Sequence, residues 1–184
     1  LLSLASILVV SNVSAIEIGP TGSGIELSGF VDLYFQTQSK VETTEVGQVE
    51  IDLDWEDGPV SVSVDFDLYD SSGPSVRGAA LEEAIITYDF GNGFSVTGGK
   101  RLSRLGFEAY DPINMYQYSY AYDANGTQDI YDAYEEGFSI DYAGDMFSVG
   151  IFTSADEDGG FEYALALTGV ENLTVKAIWA DWDA

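Results

Sequence analysis

From Gln48 to Glu56 apolar and polar residues alternate without a fault, with Val49, Ile51, Leu53 and Trp55 set between Gln48, Glu50, Asp52, Asp54 and Glu56. An extended chain sends successive side chains to opposite faces, so this run sorts into one apolar and one acidic surface as a β-strand and into neither as a helix. The next run repeats the pattern, with Val60, Val62, Val64, Phe66 and Leu68 against Ser61, Ser63, Asp65, Asp67 and Tyr69. Asp57-Gly58-Pro59 between them is turn-forming. Pairing Trp55 with Val62 puts Leu53 beside Val64 and Ile51 beside Phe66, in a hairpin closed at Asp57 and Val60 that keeps every apolar residue on one face.

The same test succeeds at three more turns. At Gly91-Asn92-Gly93 it pairs Phe90 with Phe94 and Thr87 with Thr97; at Gly144-Asp145 it pairs Tyr142 with Phe147, Ile140 with Val149 and Phe138 with Ile151. Near Gly169 to Glu171 it pairs Leu167 with Leu173 and Leu165 with Val175. The chain thus reads as all-β, with about nine strands at 26–37, 47–56, 60–69, 82–90, 94–101, 136–142, 146–153, 161–168 and 173–181. Short turns at 57–59, 91–93, 143–145 and 169–172 alternate with longer connections at 38–46, 70–81, 102–135 and 154–160. Short periplasmic turns and long outer loops are the rule for a bilayer-spanning barrel, and strands of roughly nine to eleven residues cross its hydrocarbon layer when tilted. The expected fold is therefore an antiparallel up-and-down transmembrane β-barrel. A soluble β-sandwich also alternates, but it gives no reason for the alternation of loop lengths.

Leu1 to Val10 is almost wholly apolar and is followed by Ser11-Asn12-Val13-Ser14-Ala15, which predicts a signal peptide over 1–15, truncated at its start, and a mature chain beginning at Ile16. Residues 16–184 are then expected to be the N-terminal portion of a barrel channel domain, because single-chain bacterial barrels have even strand numbers and nine is odd. No later apolar run approaches the roughly 20 residues of a membrane helix.

Thirty-two acidic against six basic residues give a formal net charge of -26, which repels nucleic acid and favours cations. There is no Cys and no His, which removes thiolate metal sites, disulfides and the usual Ser-His and Cys-His nucleophile pairs. Catalysis is not expected, since carboxylates this abundant form acid pairs whether or not any pair works. No cofactor is expected.

Two groups of residues are candidates for function. The acidic face Glu50, Asp52, Asp54, Glu56, Asp65 and Asp67 would form a lumen wall, with Asp52 opposite Asp65 and Glu50 opposite Asp67. Like charges so placed need water or cations to screen them, and a water-filled pore supplies both. Lys100, Arg101 and Arg104 gather three of the six basic residues where a strand enters the longest loop, with Glu108 and Asp111 just beyond. Opposed charges at a narrow waist set ion selectivity, which makes these five the candidate constriction. Metal ligands are not assigned: Asp156-Glu157-Asp158-Gly159-Gly160 lacks EF-hand spacing. Aromatics near strand ends, Phe30, Tyr34, Trp55, Tyr69, Tyr88, Phe90, Phe94, Tyr142, Phe147, Phe161, Trp179 and Trp182, suit interfacial girdles. The 102–135 loop adds Tyr110, Tyr116, Tyr118, Tyr120, Tyr122, Tyr131 and Tyr134, whose plainest role is to pack the loop.

Gly99-Lys100, Gly106-Phe107-Glu108, Asp111-Pro112-Ile113-Asn114, Tyr118-Ser119-Tyr120 and Glu136-Gly137-Phe138-Ser139-Ile140-Asp141-Tyr142, taken together, resemble the β-barrel porins of the OmpL-like group. The likeness covers about a third of the chain and implies an outer-membrane porin-like barrel without an assigned substrate. The expected function is passive diffusion of ions and small hydrophilic solutes through an acidic, cation-favouring lumen. Expected partners are outer-membrane lipid and the diffusing solutes or cations, not nucleic acid; a homo-oligomer is left open. The competing class is a secreted or surface β-sandwich binding module of the adhesin kind.

Overall fold

The computed structural model describes residues 15–38, 41–70, 80–105, 134–155 and 159–181. Residues 1–14 of the expected signal peptide 1–15, the loop residues Glu108 and Asp111, the loop tyrosines other than Tyr134, and Trp182 lie outside them. The strands are β1 (Ile16–Glu17), β2 (Ile25–Gln38), β3 (Val41–Asp57), β4 (Val60–Asp70), β5 (Ala80–Gly91), β6 (Phe94–Leu102), β7 (Tyr134–Ala143), β8 (Phe147–Ser154), β9 (Phe161–Val170) and β10 (Leu173–Asp181). All ten lie in one antiparallel sheet in sequence order, β1 to β10, an up-and-down meander with no helix among the described residues. The sheet is open, since no described pairing joins β10 to β1. Each of the nine strands read from the alternation is present, and the two-residue β1 is added at the edge of β2, Ile16 opposite Leu27.

The β3–β4 hairpin has the register its sequence implies: Trp55 opposes Val62, Leu53 opposes Val64, Ile51 opposes Phe66, and Asp57 with Val60 closes a two-residue turn. Thr87 likewise opposes Thr97, but Phe94 faces Gly91 instead of Phe90, because Phe90 is the extra residue of a bulge beside the turn. Gly91, Asn92 and Gly93 there all have positive φ (77°, 55° and 85°), a conformation that glycine and asparagine tolerate and that no β-branched residue would.

Two hairpins are offset from their expected pairing. Tyr142 faces Val149 instead of Phe147, Ile140 faces Ile151 and Phe138 faces Thr153. The Gly144 amide donates to the Phe147 carbonyl at 2.9 Å, so the turn centres on Asp145-Met146, one residue later than the Gly144-Asp145 centre. In the last hairpin Val175 faces Leu167 and Ala177 faces Leu165, the turn being Glu171-Asn172 with Asn172 at φ 60°. Moving a turn centre by one residue shifts every partner by two, which leaves each side chain on its own face.

A third correction concerns the connection expected at 38–46. The hairpin simply continues, Gln38 opposite Val41 and Phe35 opposite Thr44, so the regular alternation of long and short connections fails at this place. Val41, Thr43, Thr44 and Val46 are good strand formers, and Gly47 serves a bulge instead of a turn. Between the other strands the connecting lengths still alternate, 71–79, 103–133 and 155–160 against 58–59, 92–93, 144–146 and 171–172.

The two faces are buried in the opposite sense from a water-soluble sheet. Along β7, Phe138 and Ile140 are 62% and 63% exposed while Gly137 and Ser139, which alternate with them, are buried; along β8, Val149 and Ile151 are exposed while Gly150 and Phe152 are buried. Asp32, Gln48, Glu50, Asp67 and Glu162 are all buried on the polar side. The sheet curls with its polar face inward and its apolar face outward.

Candidate functional site

The inner face has two different halves. On β2 to β5 it is acidic, the register bringing Asp52 opposite Asp65 and Glu50 opposite Asp67 as the sequence implied, with Asp54 opposite Ser63 and Glu56 opposite Ser61. All six residues of the expected acidic wall therefore share one face. What the charge pattern alone did not reveal is the set of donors interleaved with them. The Ser28 hydroxyl donates to Asp52 Oδ2 at 2.9 Å and the Ser63 hydroxyl to Asp54 Oδ1 at 2.7 Å. Hydrogen bonds to the ionised form lower the cost of lining up carboxylates. The Leu102 amide donates to Glu83 Oε2 at 3.2 Å, and Glu83, opposite Asp65, lies on the same acidic half.

On β6 to β9 the inner face is small and holds a cation. Gly137, Gly150, Ala164 and Ala166 lie on this side, and Arg104 lies over Gly150. Its Nη2 is 2.5 Å from Asp141 Oδ1. A Cβ on Gly150 would overlap both Arg104 Nη1 and Asp141 Oδ1, so the absence of a side chain at 150 is what seats the guanidinium. The Arg104 backbone amide donates to Glu162 Oε2 at 3.0 Å and the Ser103 hydroxyl donates to Glu162 Oε1. Glu162 is fully buried, 0% exposed.

These contacts fix the course of the chain after β6. Glu162 is on β9, three strands away, which in a flat sheet means about 14 Å. Arg104 lies only two residues past the end of β6, so the segment turns inward and crosses the curled face.

The basic residues expected together are divided by strand parity. Arg101 faces inward, its guanidinium 5.4 Å from the Phe152 ring, with Glu135 opposite in the register. Lys100 lies on the other face, its Nζ donating to the Leu81 carbonyl at 2.7 Å and sitting 5.7 Å from the Tyr134 ring. Neighbours in a strand cannot line one wall, and that separates Lys100 from Arg101, whereas Arg104 reaches the inner side through the turn of the chain after β6. Glu108 and Asp111 lie outside the described residues. The acids that do meet Arg104 are Asp141 and Glu162, both legible in principle from parity, since each alternates with outward aromatics (Tyr142, and Phe161 with Tyr163).

On the outer face the aromatics gather at two levels. At the turn end Phe94 and Tyr142 have ring centroids 4.8 Å apart, Tyr142 and Phe147 5.5 Å, and Tyr88 and Phe90 4.8 Å. At the opposite end Phe161 lies 6.1 Å from Tyr163, and Tyr163 lies 5.5 Å from Trp179. Phe30 is an exception among the expected girdle residues: it faces inward, 3% exposed, opposite Glu50. Comparison with protein-family models, curated proteins and solved structures finds no match for this chain.

Proposed function

We propose that this chain forms the wall of an outer-membrane β-barrel channel, porin-like and non-catalytic, through which cations and small hydrophilic solutes diffuse passively. One observation carries the reading: a single sheet buries Asp32, Glu50, Asp67 and Glu162 on one face and leaves Phe138, Ile140, Ile151, Leu165 and Leu167 exposed on the other. In water that distribution is costly on both faces, and in a bilayer it is favourable on both, because lipid meets the outer face and pore water the inner. The two aromatic levels support it. Tyr134 and Tyr142 are eight residues apart on β7, about 27 Å along the strand, and a tilt of roughly 40° makes this about 20 Å of membrane depth, near the apolar band of such barrels. The resemblance to the OmpL-like porins points the same way.

A secreted sandwich module needs a second sheet against the apolar face. The described strands instead follow one another in a meander, the order of a barrel wall rather than of a Greek key.

Within the channel, Arg101 and Arg104 sit on the inward side opposite the acidic half, where a segment crosses the face. They are the constriction, with Asp141 and Glu162 as their counter-charges, while Glu50, Asp52, Asp54, Glu56, Asp65 and Asp67 hold a cation-rich layer of water. Planar bilayers containing the full-length protein should show single-channel steps and a cation-favouring reversal potential in asymmetric KCl. Recovery of the protein only in soluble form, without conductance, would refute the channel. Replacing Arg101 and Arg104 by Ala should raise cation preference, and an unchanged reversal potential would remove both from the constriction.

A further inference from the structure

The ladder between β6 and β7 ends with Leu102 opposite Tyr134. Past that point residues 103–105 make no backbone–backbone hydrogen bond to any described residue. Side chains hold the segment instead. Glu162 takes two donors from it, the Ser103 hydroxyl on Oε1 and the Arg104 amide on Oε2 at 3.0 Å. Ser103 Oγ also accepts the Leu105 amide at 3.1 Å, so the hydroxyl that meets Glu162 sets the local turn as well.

Glu162 stands between Phe152 on β8 and Ala180 on β10, and neither side chain offers it a hydrogen bond. Its two oxygens are satisfied by the segment that crosses the face, as burial demands. With its amide so held, Arg104 reaches Asp141 over Gly150. Arg101 on the same face is repelled by Arg104 and attracted by Asp141, Glu162 and Glu83. Glu162 is sealed off, whereas Arg104 and Asp141 each keep part of the side chain exposed. An ion passing the inner face meets Arg104, not Glu162.

We infer that Glu162 is a positioning residue of the constriction, setting the ion preference of the channel by fixing the Arg104 main chain on the inner face and not by its own charge. The role rests on the channel reading above. The two ways of acting differ in sign. Removing an acid from a pore wall weakens its attraction for cations. Removing the hold on Arg104 lets a cation withdraw from the waist and leaves Asp141 unpaired there, which strengthens that attraction.

Reversal potentials of the full-length protein in planar bilayers, in asymmetric KCl, test it. Glu162→Met removes the charge and both acceptors with little change of volume, and the K+ over Cl− permeability ratio should rise, as it should in Arg104→Ala. Ser103→Ala removes one hold and no charge, and should raise the ratio less. Glu162→Gln keeps an oxygen for the Arg104 amide and should lie nearer the parent. Asp54→Asn, on the acidic wall, should lower the ratio. In an Arg104→Ala background Glu162→Met should no longer raise it, because the two residues act as one unit. Hydrogen exchange of detergent-folded protein reads the hold without conduction: the Arg104 amide should exchange at least about tenfold faster in Glu162→Met, as losing a hydrogen bond to a charged group implies. A ratio that falls or stays unchanged in Glu162→Met overturns the role, and so does unchanged exchange. Should Glu162→Met fail to fold, Ser103→Ala decides, an unchanged or lower ratio overturning the role. A parent that never conducts removes the channel and this role together; a parent that conducts, with a lower ratio in Glu162→Met, loses the role alone.

Discussion

Phe138→Arg is expected to prevent the chain from folding into lipid vesicles, while the same change in a water-soluble protein would be nearly silent. Phe138 lies midway along β7, between Tyr134 and Tyr142, 62% exposed on the apolar face. If that face meets lipid, the side chain sits near the bilayer midplane, where an arginine costs about 2–4 kcal/mol. That corresponds to a loss of roughly 30- to 900-fold in the folded population, to which the lost burial of the phenyl ring adds. If the face meets water, replacing an exposed residue changes stability by about 0.5 kcal/mol or less. Urea titration of vesicle-folded protein, read by heat-dependent mobility on gels, separates the two by a wide margin. Trp179→Arg provides the internal scale: Trp179 belongs to the aromatic level at the rim, where the same charge costs only about 0–1 kcal/mol. Equal effects at 138 and 179 would contradict the two-level reading of the outer face.

The second large effect is expected inside. Gly150→Val should expel Arg104 from its seat, because even a single added carbon overlaps the guanidinium and the Asp141 carboxylate. The ion pair is partly buried, its side chains 15% and 28% exposed, so separating it leaves charges short of water and of partners. Breaking pairs of this kind costs several kcal/mol when fully buried and less near the surface, so a loss of about 2–3 kcal/mol is expected. Limited trypsin digestion gives a readout that general destabilisation would not mimic. Cleavage after Arg104 should accelerate more than cleavage after Lys176, which lies on β10 away from this contact. Asp141→Asn should produce the same shift in cleavage without steric overlap. If cleavage after Arg104 is unchanged in both variants, Gly150 and Asp141 do not hold it.

Much of the candidate site is legible in the sequence, for a simple reason. Side chains on a strand repeat every two residues, so the acids at 50, 52, 54, 56, 65 and 67 had to share a face once Trp55 and Val62 were paired. The divided fate of Lys100 and Arg101 follows from the same parity, which outweighs their closeness in sequence. Asp141 and Glu162 were harder to single out as partners of Arg104: they lie 37 and 58 residues further along the chain, and only the inward turn after β6 brings them to it.

The alternation in the sequence was enough to determine that this chain is all-β, where nine of its strands lie and which face of each is polar, because facing depends only on whether a position is odd or even. It could not choose among registers that differ by two, as the β7–β8 and β9–β10 hairpins show; there the turn geometry at Asp145-Met146 and Glu171-Asn172 decided. Tertiary structure alone decided that the sheet curls about its carboxylates and that the chain after β6 crosses to Glu162. Each of these depends on contacts between strands far apart in sequence, whose geometry local preference does not encode.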